Sequence, residues 1–113
     1  MPRIPQFFQS DAGNDTLNVK ATAGLVYSVI FQNLNLTLVR YYQLHDTATT
    51  PSNGAVPRVN IRASALAVIV LGTDFFTEEG VTFTNGVAFA VSTTPLTLTL
   101  GVAGDQQSRV VYS

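Results

Sequence analysis

The sequence predicts an all-β domain: an antiparallel β-sandwich or jelly-roll-like fold of about eight strands, behind an extended N-terminal arm. Three observations predict it. Short segments rich in Val, Ile, Thr, Phe and Tyr recur between turn signals from Leu17 onwards. No window carries apolar residues at the 3.6-residue spacing of an amphipathic helix, and no internal repeat suggests a solenoid. The 113 residues suit one domain with one core.

Residues 1–15 read as an arm outside a single sandwich domain of residues 16–113. Pro2 and Pro5 hold the arm extended and unable to add regular ladder hydrogen bonds, so it has little reason to join its own sheet. Phe7 and Phe8 are too apolar for a disordered tail. They either tether a neighbouring subunit or cap their own sandwich. The expected strands are 17–22, 24–33, 36–44, 57–62, 64–71, 81–84, 86–93, 96–101 and 108–112.

Some of these strands have informative faces. Leu34, Leu36 and Leu38 alternate with Asn33, Asn35 and Thr37, the pattern of a half-buried strand. The alternation blurs at Val39-Arg40-Tyr41-Tyr42, which points to a bulge or to a second face packed on another subunit. In "PRVNIR", Arg58, Asn60 and Arg62 share one face and Val59 and Ile61 the other. The following "ALAVIVL" (65–71) is apolar on both faces, so both should be covered, the outer one in a subunit interface. Tyr41, Arg58 and Arg62 join Phe7 and Phe8 as candidate interface residues.

The stretch "EEGVTFTNGVAFAVSTT" (78–94) centres on Asn85-Gly86, a structural turn. A two-residue hairpin loop would split Val81, Phe83, Val87, Phe89 and Val91 between faces. A three-residue loop, Thr84-Asn85-Gly86, points all five one way and places Gly86 in the left-handed region as a bulge. A corner where the chain crosses between sheets satisfies the same pattern. On each version Gly86 is a backbone requirement.

Composition and chemistry narrow the function. Hydrophobic residues make up 46% of the chain and charged residues 12%, with a net charge of −1 and no basic cluster. That balance argues against phosphate-driven nucleic-acid binding and suits a surface that meets protein partners. There is no cysteine, hence no disulfide, thiol nucleophile or Cys-based zinc site. No signal peptide is evident, and the longest apolar run is too short to span a bilayer. His45-Asp46 could orient a base, but adjacent strand residues face opposite ways and no nucleophile motif accompanies them. "DAGND" (11–15) lacks the later ligands of a calcium loop. Glu78-Glu79 reads as a polar turn before Gly80. Tyr27, Phe31, Tyr41 and Tyr42 could stack a sugar, but core or interface packing suits them better. The residues point to no catalytic centre, cofactor or metal, so a non-enzymatic protein is expected.

"GLVYSVIFQNLNLTLVRYYQLHDTATTP" followed by "GVTFTNGVAFAVSTTP" resembles the small β-sandwich structural proteins of tailed bacteriophages. The first matching run is Arg40-Tyr41-Tyr42-Gln43-Leu44-His45-Asp46-Thr47. The second passes from Gly80 through Phe83 and Gly86 to Thr93 and Thr94. The resemblance covers about Ala21 to Pro95 and departs at Glu79, where such proteins often carry a further glycine. It implies a capsid decoration, or cement, protein on the outer surface of the virion. Such a protein would be made in the host cytoplasm, associate with itself as a homotrimer, and bind the major capsid protein of the head. A tail, neck or fibre-associated virion protein and a carbohydrate-binding module are the alternatives; exposure of Tyr41 or Tyr42 would favour the last.

Overall fold

The computed structural model describes residues 6–10, 16–100 and 106–113. The described strands run β1 (Gln6–Ser10), β2 (Thr16–Lys20), β3 (Gly24–Asn33), β4 (Arg40–His45), β5 (Val59–Ala63) and β6 (Val68–Leu71). A short helix α1 (Thr73–Phe76) precedes β7 (Val81–Phe83), β8 (Val87–Ser92) and β9 (Gln106–Tyr112). They form two antiparallel sheets. The first has the order β1-β9-β3-β6, with β7 also paired to β3; the second has the order β2-β8-β4-β5. The protein is an all-β sandwich.

The core lies between the sheets. Val26, Val29, Phe31, Phe83 and Val110 come from the first sheet, and Tyr42, Leu44, Ile61, Val87, Phe89 and Val91 from the second. Tyr42 stacks on Phe89 at 5.4 Å between ring centroids and meets Phe31 at 4.7 Å. Each such side chain contributes about 1.5–3 kcal/mol on burial. Phe76 of α1 closes one part of this core and carries Phe75 edge-on against it.

Several expectations need correction. Residues 6–10 are not an irregular arm: Phe7 pairs with Val111 and Phe8 with Val110 in an antiparallel ladder. The prolines both precede this stretch, and an edge strand needs partners on one side only, so nothing in "QFFQS" prevents pairing. Residues 1–5 and 11–15, and the side chains of Phe7 and Phe8, lie outside the described residues.

Residues 34–39 are a loop instead of a strand. Asn35 Oδ1 accepts the N–H groups of Thr37 (3.0 Å) and Leu38 (2.8 Å), and Asn33 Oδ1 accepts that of Asn35 (3.0 Å). Asparagine side chains thus replace the ladder that the leucine alternation suggested. Leu36 and Leu38 are consequently exposed.

The Asn85-Gly86 turn is not a hairpin. β7 pairs with β3 and β8 with β2 and β4, so residues 84–86 form a corner that carries the chain between sheets. Phe83, Val87, Phe89 and Val91 still reach one core, with Val81 packed at its margin. Gly86 is not among the glycines at positive φ. Its requirement is space: an added Cβ would lie 2.5 Å from Thr47 O and 2.6 Å from Lys20 O.

Candidate interaction surfaces

Of the two residues with the most chemistry to offer, His45 ends β4 and Asp46 follows it, and their side chains diverge. Asp46 points to the corner. Its carboxylate accepts the N–H groups of Thr84 (3.1 Å), Asn85 (2.7 Å) and Gly86 (3.3 Å) and the Thr84 hydroxyl (3.0 Å). Slight burial pushes the Asp46 carboxyl up, but the hydrogen bonds from Asn85, Thr84 and Gly86 outweigh it and hold the group below its ordinary range. Asp46 is a clamp between the second sheet and the crossover. His45 turns to Gln43: its Nε2 lies 3.1 Å from Gln43 Oε1, an acceptor, so the neutral ring donates there. Burial lowers the His45 pKa and favours that neutral form. A shallow depression of about 240 Å³ opens beside the pair, floored by the threonine-rich loop from Thr47 to Ser52.

The blurred face around Tyr41 has a physical cause within the chain. On β4 and β8, Tyr42, Leu44, Phe89 and Val91 face the core, while Gln43, His45, Ala88, Ala90 and Ser92 face outward, yet all nine are buried. A strap of residues 93–100 lies over this outer face. Gln43 Nε2 donates to Asn60 Oδ1 (3.1 Å) and to the strap carbonyl of Thr94 (3.3 Å). Ser92 Oγ donates to Thr94 O (2.7 Å) and accepts from Thr94 N (3.1 Å) and Thr99 N (3.0 Å). The far side of the strap is pinned to the 51–56 loop by Gly54 N to Leu98 O and Leu98 N to Ala55 O, both 2.8 Å, and by Leu100 N to Asn53 Oδ1 at 2.8 Å. Leu98 is buried although it lies outside the main core cluster. Residues 96–100 of the expected strand 96–101 belong to this strap, joined to β8 by the bridge Ser92 to Leu100; residue 101 lies outside the described residues. Gln43, His45 and Ser92 on this outer face are thus buried within their own chain.

The remaining candidate residues separate. Tyr41 is half-buried and is the register partner of Arg62 on β5 and of Ser92 on β8. Arg62 is exposed and approaches the Ser64 hydroxyl at 3.5 Å. Arg58 precedes β5; its guanidinium lies over the Phe83 ring, 5.5 Å from the centroid, and caps the core at the corner. The aromatic platform does not form. Phe31 and Tyr42 are fully buried, and the Tyr27 hydroxyl bonds to Ser113 Oγ at 2.8 Å. Burial pushes the Tyr42 phenol well above its ordinary value, against a smaller opposing effect of Ser108. Glu78 and Glu79 are exposed in a turn closed by Gly80 N to Thr77 O at 3.2 Å.

The outer side of β6 is the apolar face that the chain itself leaves open. Within the subunit Ile69 and Leu71 pack on the core while Val68 and Val70 are exposed, because no loop of the described residues crosses the first sheet there as the strap crosses the second.

Among the described residues no three His, Asp or Glu side chains converge as a metal site, and no helix is long and apolar enough to cross a membrane. Comparison with known proteins finds no family model, no curated protein and no solved structure that matches the chain.

Proposed function

We propose that the protein is a non-enzymatic virion structural protein, a capsid decoration or cement protein that binds the outer head shell as a homo-oligomer, with three copies as the expected number. Its partners are further copies of itself and the major capsid protein. The observation that carries this reading is the commitment of the chain's reactive side chains to its own loops. Asp46 is committed to the 84–86 corner, His45 to Gln43, and Gln43 and Ser92 to the strap. Nine large apolar side chains are exposed on the described surface, the material of assembly interfaces.

Two further points support the reading. The two runs that carry the resemblance to phage proteins, 40–47 and 80–94, meet through Asp46 and the corner, so they behave as one structural unit. The chain also crosses between sheets at every step except β4 to β5 and β6 to β7, giving the orders β1-β9-β3-β6 and β2-β8-β4-β5, which we read as a jelly roll. That architecture recurs in viral capsid and lectin domains, an analogy of fold that by itself assigns no activity. Protein quantitation of purified virions tests the role, followed by binding of the pure protein to emptied heads. Hundreds of copies per particle and saturable head binding are expected. A few dozen copies or fewer, with no head binding, would move the protein to the tail or neck.

A further inference from the structure

We infer that the outer side of β6, together with the loop tips at its start, is the surface through which copies of this chain associate. Six of the nine large apolar side chains exposed among the described residues gather there. Val68 and Val70 point outward from β6 at 55% and 66% exposure; Val70 is the register partner of Ile30, itself 39% exposed. Two residues before β6, Leu66 N donates to Asn35 O at 3.2 Å and brings the 34–39 loop alongside, with Leu36 and Leu38 exposed. The patch therefore runs from the loop tips along the strand.

Two features set this patch apart from scattered surface hydrophobics. Leu66 has φ = 60°, a left-handed conformation that favours Gly or Asn, and its side chain is still more than half exposed. The fold thus holds an apolar side chain in solvent from a strained backbone, an arrangement that persists where the side chain has a task. The strand β6 also ends the order of its sheet, so its outer edge carries no ladder partner among the described strands.

The occupant is a second copy. By fractional exposure the six side chains present on the order of 600 Å², at the upper limit of a monomer's largest apolar patch. With its polar rim of Gln32, Gln107 and Arg109 the surface approaches the roughly 800 Å² per partner of a stable interface. None of the six side chains is ionisable, and the charge beside them is that of Arg109, the exposed register partner of Ile30 on β9. An apolar surface of this kind meets a copy of itself around a symmetry axis without further complementarity. The choice of occupant rests on the reading of the chain as a self-associating virion protein; the location of the surface does not.

The test is sedimentation velocity and light scattering of the full chain beside Val70→Lys, with Val56→Lys on the opposite side of the molecule as a control. The wild-type protein and Val56→Lys should be oligomers, and Val70→Lys should raise the dissociation constant ~100-fold or more with an unchanged circular-dichroism spectrum. If Val70→Lys does not fold, the Val68→Ser, Val70→Ser double variant carries the same expectation. A monomeric wild-type chain, or variants that associate as tightly as wild type, would overturn the assignment. Head binding is scored separately. A wild-type oligomer that ignores heads would refute the decoration role and leave this surface standing, whereas a monomer that coats heads would do the reverse.

Discussion

The strands β8 and β6 carry sequences of the same character, "VAFAVS" and "VIVL", yet they end in different surroundings. Every residue of β8 is buried: Val87, Phe89 and Val91 face the core, and Ala88, Ala90 and Ser92 lie on the outer face covered by the strap. On β6 only the inward residues are covered, and Val68 and Val70 face outward uncovered. Position in the sheet separates them. β8 is interior to its sheet, between β2 and β4, and the chain that leaves it folds directly back over it. β6 is at an edge, and the chain that leaves it enters α1, whose Phe76 goes to the core side. Two-sided apolarity in a strand therefore announces a cover without naming it. The cover of β8 is internal, and the one we propose for β6 is a second copy of the chain.

The largest expected effect comes from the corner that delivers the chain to β8. Gly86→Ala should destabilise by about 3 kcal/mol, and Gly86→Val by more, because both clashing oxygens belong to backbone that must shift. Gly54→Ala is the comparison: Gly54 has φ = 91° and open space around it, so only the backbone conformation resists, at about 1 kcal/mol. Equal melting temperatures for the two alanine variants would remove the crowding argument.

The next effect separates the two outer faces. Ala90→Leu should cost about 2 kcal/mol by overfilling the space under the strap. Val70→Thr should change the stability of the folded subunit by less than about 0.5 kcal/mol. Denaturant unfolding of both variants decides; similar losses would mean that the faces do not differ.

Acid should loosen the second sheet first. Asp46 has a lowered pKa in the fold, so its contribution is present above the ordinary carboxylate range and is lost as pH falls through the folded value. His45, also lowered, acts with the same sign at higher pH: below its ordinary value near ~6.5 the unfolded chain takes up a proton that the buried ring resists. Asp46→Ala should cost about 1 kcal/mol at neutral pH, because the carboxylate is well solvated, and should flatten the stability profile below about pH 4. His45→Gln should flatten the profile between pH 7 and 5 and leave the lower limb, as thermal melts across that range would read.

The smallest effect is a gain. Leu66→Asn removes a leucine from the left-handed region and should stabilise the subunit by about 0.5 kcal/mol while reducing the apolar patch. A loss of stability would mean that Leu66 already packs within its own chain.

Much of the architecture was legible because periodicity reports burial. The β3 bounds 24–33 follow from its run of Val, Ile, Tyr and Phe, and the burial of Phe83, Val87, Phe89 and Val91 follows from their spacing across the corner. Where side chains satisfy backbone groups, periodicity misleads. Leu34, Leu36 and Leu38 alternate like a strand, but Asn33 and Asn35 take up the local N–H groups and bend the chain away. The strap resembles a strand for a similar reason: its leucines alternate with threonines, and nothing local reveals that it lies across a sheet instead of within one. At the candidate site, the divergence of His45 and Asp46 was legible from strand geometry. The clamp of Asp46 on residues 84–86 was not, since a contact across 38 residues leaves no local mark.

The contrast between the covered and the open face is tested most directly by residue-resolved amide hydrogen exchange, comparing wild type with Val70→Lys at one protein concentration. Exchange within β8 should be equally slow in both proteins, because its cover belongs to the same chain. Exchange along β6 should be markedly faster in Val70→Lys, because its cover is a neighbouring copy that the variant no longer holds. Equal protection of β6 in the two proteins would contradict the account.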